Sequence, residues 1–192
     1  STSASAFAPA PAPQIVPADP DLALPTPINP GCPCVIEGLH IVPSDGRLAR
    51  QIAREKGVRV MVLDLLNDSM PAPSSGVATT QAMLQDVVAQ VAATLHLQGI
   101  TCTRLPDWPG LVVLRTVAML ANEGFEAVLQ GVASESDVDA AMRFGVNYPK
   151  GPMEWARDVG LGRILSVLDN LHSLTGDPRY RACLGLRMAV MG

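Results

Sequence analysis

The sequence predicts a mostly α-helical fold with a small β-α-β unit at its front, and three observations carry this. Two runs of branched apolar residues, CVIEGLHIV and VRVMVLDLL, flank a segment with helix start and stop signals. From residue 79 onward most of the chain has helical periodicity, interrupted by Gly and Pro. One of these stretches, 109–131, is apolar around well over half its circumference, the pattern of a helix covered on most sides. A chain of 192 residues has room for one substantial core with a small attachment.

Residues 1–33 hold nine of the 17 prolines and no Lys or Arg, and read as a Pro/Ala-rich linker or tail. They lack the basic start and long apolar core of a secretory signal. Residues 34–78 form the β-α-β unit and a following loop. Its helix lies in SDGRLARQIAREKG, with Ser44 as the expected N-cap and Gly57 as the stop. The turn before that helix is PSDG, and GxGxxG occurs nowhere, so the unit is no dinucleotide site on the usual terms. Capping alone explains a serine there. MPAPSSG (70–76) reads as a turn-rich break.

Residues 79–192 form the expected helical domain. Helix 79–98 is closed by Gly99, and ITCTRL is a short extended piece. Helix 109–131 starts near Pro109 and ends at Gly131, with Arg115, Asn122, Glu123, Glu126 and Gln130 as a narrow polar stripe. Ser134 and Asp137 have capping-box spacing at the head of the next helix. In RFGVNYPKGPMEWARDVGL (143–161), Gly145 is expected to stop that helix in a left-handed conformation. The YP and GP pairs then force an extended crossing. Trp155 fills the helix junction with Met153 and Val159. The stretch reads as a joint, and Asn147 and Tyr148 are its only candidates for touching a ligand.

A formal charge of −4, with no run of adjacent basic residues, gives no reason to expect nucleic acid. The longest apolar tract, 111–121, is too short for a membrane span and carries Arg115. Four scattered cysteines make neither a disulfide framework nor a metal set, and with the soluble composition imply a cytoplasmic protein.

The order of PGLVVLRTVAMLANEGFEAVLQG, ASESDVDAAM, GVNYPKGP and GDPRYR resembles the C-terminal helical domain of 3-hydroxyacyl-CoA dehydrogenases, over about 106–187. The resemblance implies a 6-phosphogluconate dehydrogenase C-terminal-like helical fold. It also implies a parent enzyme that oxidises 3-hydroxyacyl-CoA with NAD, and a homodimer built from the 109–175 helices. Long bacterial forms linked to phenylacetate catabolism carry a second helical copy after a linker, and the Pro-rich leader suits that portion. The family's base is a histidine in an HxxNP-like context, with a glutamate about a dozen residues on. His40, His96 and His172 lie in no such motif. Where the family has an asparagine one residue before its arginine, this chain has Leu114, which can make no side-chain hydrogen bond. The resemblance therefore implies a degenerate copy: no catalytic, cofactor or metal residues, NAD only in the parent enzyme, and Asn147 and Tyr148 as the substrate-contact candidates. Two alternatives stay open: a chain lending substrate contacts to a partner's active site, and a stand-alone interaction domain.

Overall fold

The computed structural model describes residues 12, 14–16, 19–22, 28–66, 73–79 and 85–192. A six-stranded mixed sheet comes first. Its strands are β1 (Gln14–Ile15), β2 (Cys34–Ile36), β3 (Leu39–Pro43), β4 (Arg59–Leu63), β5 (Ser74–Thr79) and β6 (Thr101–Arg104), in the order β1-β6-β5-β4-β3-β2. The helices are α1 (Ala49–Lys56), α2 (Gln85–Leu97), α3 (Val113–Leu129), α4 (Glu135–Gly145), α5 (Pro152–Val159), α6 (Leu161–Thr175) and α7 (Leu184–Met191).

The expected β-α-β unit is present: β3 and β4 run parallel, joined by α1, with Leu39 opposite Arg59 and Pro43 opposite Leu63. Strand β4 is buried on both faces, which its unbroken apolar run requires. Met61 and Leu63 pack on one face with Leu39 and Ile41, while Val60 and Val62 pack on the other with Ala49 and Ile52. Gly57 ends α1 in the left-handed conformation, as expected.

The sheet reaches further than that unit. Ser74–Gly76, expected within a turn-rich break, belong to β5, which pairs antiparallel with β4 and parallel with β6. Helix α2, expected in the helical domain, lays Val88, Val91, Ala92 and Leu95 on the sheet's apolar face. Its periodicity marks an apolar side, but the surface that covers this side joins the adjacent β6 to segments distant in sequence, among them Pro20–Leu22 and β3. The Pro-rich leader also contributes. Gln14 and Ile15 pair with Arg104 and Thr103, and Ile28 is buried. The Ile28 N–H donates to Gln98 Oε1 at 3.0 Å, and Gln98 Nε2 donates to the Ile28 carbonyl at 2.9 Å. Of the expected 1–33 tail, residues 1–11, 13, 17–18 and 23–27 lie outside the described residues.

Helix α3 is central to the helical portion, as its all-round apolarity requires. Leu114, Val117, Ala118, Ala121 and Phe125 pack against Met153 and Ala156 of α5, Ile164 and Leu168 of α6, and Leu186 of α7. Asn122 leaves the expected polar stripe: it is buried, its amide nitrogen donating to the Arg181 carbonyl and its amide oxygen accepting from the Cys183 N–H. The Ser134–Asp137 capping box forms at the head of α4.

Candidate functional site

The β3-α1-β4 turn is where a dinucleotide fold would take a pyrophosphate, on the free N–H groups of the helix. Here those groups are already used. The N–H groups of Ala49 and Arg50 donate to the Asp107 carboxylate at 2.7 and 3.1 Å, and Arg50 Nε donates to it at 3.0 Å. Ser44 is not the cap. Leu48 holds the N-cap position without a side-chain bond, and Ser44 stays at the end of β3, its N–H donating to the Leu63 carbonyl. Gly46, the glycine of the turn, is needed for packing: a Cβ there would lie 2.7 Å from the Val167 carbonyl oxygen of α6. A protein carboxylate sits where a phosphate would sit, so the residues present do not fit NAD at this turn.

The second junction lies after β4. Asp64 is buried, and its carboxylate accepts from the N–H groups of Val112, Val113 and Leu114 at 2.9, 2.8 and 3.0 Å, and from that of Leu65 at 2.8 Å. Gly110 and Leu111 both take positive φ, turning the first amides of α3 toward it. Burial pushes the Asp64 carboxyl above its ordinary value, with the four N–H bonds pulling the other way. Leu114 is fully buried in the helical core and sends only its backbone N–H to this carboxylate.

Asp64 was not singled out by the sequence argument, although a signal exists. Asp64-Leu65-Leu66-Asn67-Asp68 keeps only the asparagine of the HxxNP-like context that the resemblance implies for the base. Twelve residues on, where the glutamate would stand, is Gly76, whose carbonyl accepts from the Asp64 N–H at 2.8 Å. Asp64 and Gly76 are therefore adjacent, one a capping carboxylate and the other without a side chain. His40, His96 and His172 lie on three separate elements, β3, α2 and α6.

The joint at 143–161 is built around Asp139, whose carboxylate caps α5 by accepting from the N–H groups of Met153 and Glu154 at 2.8 and 3.1 Å. Gly145 is the last residue of α4, not the left-handed one. That conformation falls to Asn147, with φ of 58°, because Asn tolerates it far better than most residues. The Tyr148 N–H donates to the Met142 carbonyl at 3.2 Å, and its ring lies 5.7 Å from that of Trp155 at 51°. Asn147 is exposed and Tyr148 half-buried. Among the described residues, no group of three His, Cys, Asp or Glu is placed to hold a metal ion.

Fold and junctions together define a reduced nucleotide-fold α/β unit docked on a helical domain through carboxylate-capped helices. Two family profiles describe these parts. Residues 41–109 match the 3-hydroxybutyryl-CoA dehydrogenase reduced Rossmann-fold domain, and residues 110–191 match the 3-hydroxyacyl-CoA dehydrogenase C-terminal domain. The chain belongs to the 3-hydroxyacyl-CoA dehydrogenase family. It is 35% identical over 156 residues to 3-hydroxyadipyl-CoA dehydrogenase of Escherichia coli, a match covering 81% of this chain and 32% of that one. It is 36% identical over 77 residues to 3-hydroxybutyryl-CoA dehydrogenase of Bradyrhizobium diazoefficiens, covering 40% and 26%. A crystal structure of 3-hydroxybutyryl-CoA dehydrogenase from Escherichia coli K12 superposes with a TM-score of 0.76 at 34% identity, covering 83% of this chain and 33% of that one. The chain thus spans about a third of the length of the first of these relatives.

Proposed function

We propose that this chain is the second, degenerate helical copy of a longer NAD-dependent 3-hydroxyacyl-CoA dehydrogenase. Its work is dimerisation and the shaping of an acyl-CoA cleft, with no turnover of its own. The observation that carries this reading is the Asp64 junction: the buried carboxylate after β4 spends its acceptors on the end of α3, and among the described residues His40, His96 and His172 lie on separate elements. General-base catalysis needs a group free to take the substrate's proton. The parent reaction in this reading is 3-hydroxyacyl-CoA to 3-oxoacyl-CoA with hydride passing to NAD, in the setting of cytoplasmic phenylacetate catabolism, and the dehydrogenase names of the relatives support the reaction class. No helix among the described residues is long and apolar enough to cross a membrane.

Dimerisation through the 109–175 helices has support in Leu129, Phe144 and Val146, which are 42%, 85% and 54% exposed, and α7, outside that span, adds an exposed stripe of Leu184, Met188 and Met191. Sedimentation of the 192-residue chain at tens of micromolar should give a dimer, and a monomer there removes that part of the reading. An NADH-absorbance assay with 3-hydroxybutyryl-CoA decides the catalytic part. No turnover is expected, and turnover above a no-enzyme control overturns it.

A second reading, that the chain lends substrate contacts to a partner's site, is favoured by the exposure of Asn147. Calorimetric titration with acetoacetyl-CoA tests it: binding that Asn147→Ala weakens supports a contact, and no binding leaves the joint as the whole role of this stretch.

A further inference from the structure

A cleft of about 610 Å³ opens between the end of β3 and α6, and neither Asp64 nor Asn147 lines it. Three cations line it: Arg47, Lys56 and Arg163. Its one carboxylate, Asp45, is held by Arg47, whose Nε and Nη2 donate to it at 2.9 and 2.5 Å. Arg163 is different. It is half-buried, its Nη2 donates to the Ser44 carbonyl at 2.9 Å, and it forms no ion pair among the described residues. Burial pulls its guanidinium below the usual value, against the longer-range pull of Asp45 and Asp64. A cation withdrawn from water without a contacting anion is costly, and such groups are ordinarily paired. On the same cleft wall Ser44 is 1% exposed, and its hydroxyl has no hydrogen-bond partner among the described residues. A guanidinium without an ion pair therefore lines the opening, and a buried hydroxyl without a partner belongs to a residue of the same wall.

We propose that this cleft binds a small oxyanion, a phosphate or carboxylate group, with Arg163 as the principal ligand and Ser44 and Lys56 completing its shell. Guanidinium presents planar paired donors suited to both oxyanions. Val42, Pro43 and Ile52 form an apolar wall beside the charge, which suits a ligand with a short apolar body. The site stands independently of the dehydrogenase reading.

The test is an amide-resolved NMR titration of the 192-residue chain with inorganic phosphate and, separately, butyrate, at ionic strength held constant with chloride. Saturable shifts at Ser44 and at the Arg163 amide and Nε are expected. Saturation by phosphate alone identifies a phosphate-type site, and saturation by butyrate identifies a carboxylate site. Arg163→Gln should weaken binding about tenfold, the loss of about 1.4 kcal/mol. Lys56→Gln, at an exposed side chain, should weaken it severalfold, and decides the matter if the first variant fails to fold. Shifts that rise linearly without saturating, or binding of equal strength in every folded variant, would overturn the proposal.

Discussion

Leu114 and Asp64 meet at one junction and carry opposite costs. Leu114 is fully buried among α3, α5 and α6, so Leu114→Asn trades packed apolar surface for an amide with no partner. That loss should be about 3 kcal/mol, read by urea denaturation, and no dehydrogenase activity should appear with it. Asp64→Ala leaves four backbone N–H groups without their acceptor and should cost about 2 kcal/mol. Its pH dependence has a definite sign. A carboxyl raised in the folded state holds more protons folded than unfolded, between its unfolded value near about 4 and its raised folded value. Stability from this group is therefore full below the unfolded value and declines as pH rises through the folded one. Denaturation of wild type and Asp64→Ala across this range should show their difference narrowing as pH rises. A widening difference would mean that the four N–H bonds outweigh burial.

At the scale of elements, three helices take their N-terminal caps from carboxylates outside themselves: α1 from Asp107, α3 from Asp64 and α5 from Asp139. A carboxylate at a helix start satisfies orphan N–H groups and meets the positive end of the dipole. Each cap also ties two elements together, so its loss is felt as undocking as well as fraying. Asp139→Ala should cost about 1–2 kcal/mol. Gly151→Ala should approach the same loss by another route, because a Cβ there collides with the Asp139 carboxyl. If Gly151→Ala is neutral in thermal melts while Asp139→Ala is not, Asp139 has room to move and the joint is looser than drawn. The capping box of α4 was legible because Ser134 and Asp137 are three residues apart. The caps of α1 and α3 were not, because their partners lie 58 and about 50 residues away.

The whole molecule is held across its middle by a few specific links. Arg163 Nη2 donates to the Ser44 carbonyl, Asn170 Nδ2 donates to the Asp45 carbonyl at 2.8 Å, and Gly46 lets the β3-α1 turn approach the α6 backbone. With the Asp64 cap, these join sheet and helical portion by groups that lose their partners if either part opens. One cooperative transition is expected. Amide hydrogen exchange checks it: Met61 in β4 and Val117 in α3, each in its own core, should show the same opening free energy. Values that differ by several kcal/mol would make the two parts separate folding units.

Helices α3 and α4, the β-α-β core, the α4 capping box and the family were legible in the sequence, because these rest on periodicity and motifs carried by neighbouring residues, whereas α7 was not among the expected helices. The sequence also marked Leu114 as an apolar substitute in a chemical position. Only the tertiary structure decided that α2 belongs with the sheet, that part of the Pro-rich leader closes its edge, and that Asp107 fills the place of a phosphate. It also decided that Asp64 caps α3 from about 50 residues away. The reason is physical: an apolar stripe or a carboxylate states what a residue needs, burial or a donor, but not which distant segment supplies it. That choice is made when strands pair and helices dock, where many long-range contacts are settled at once.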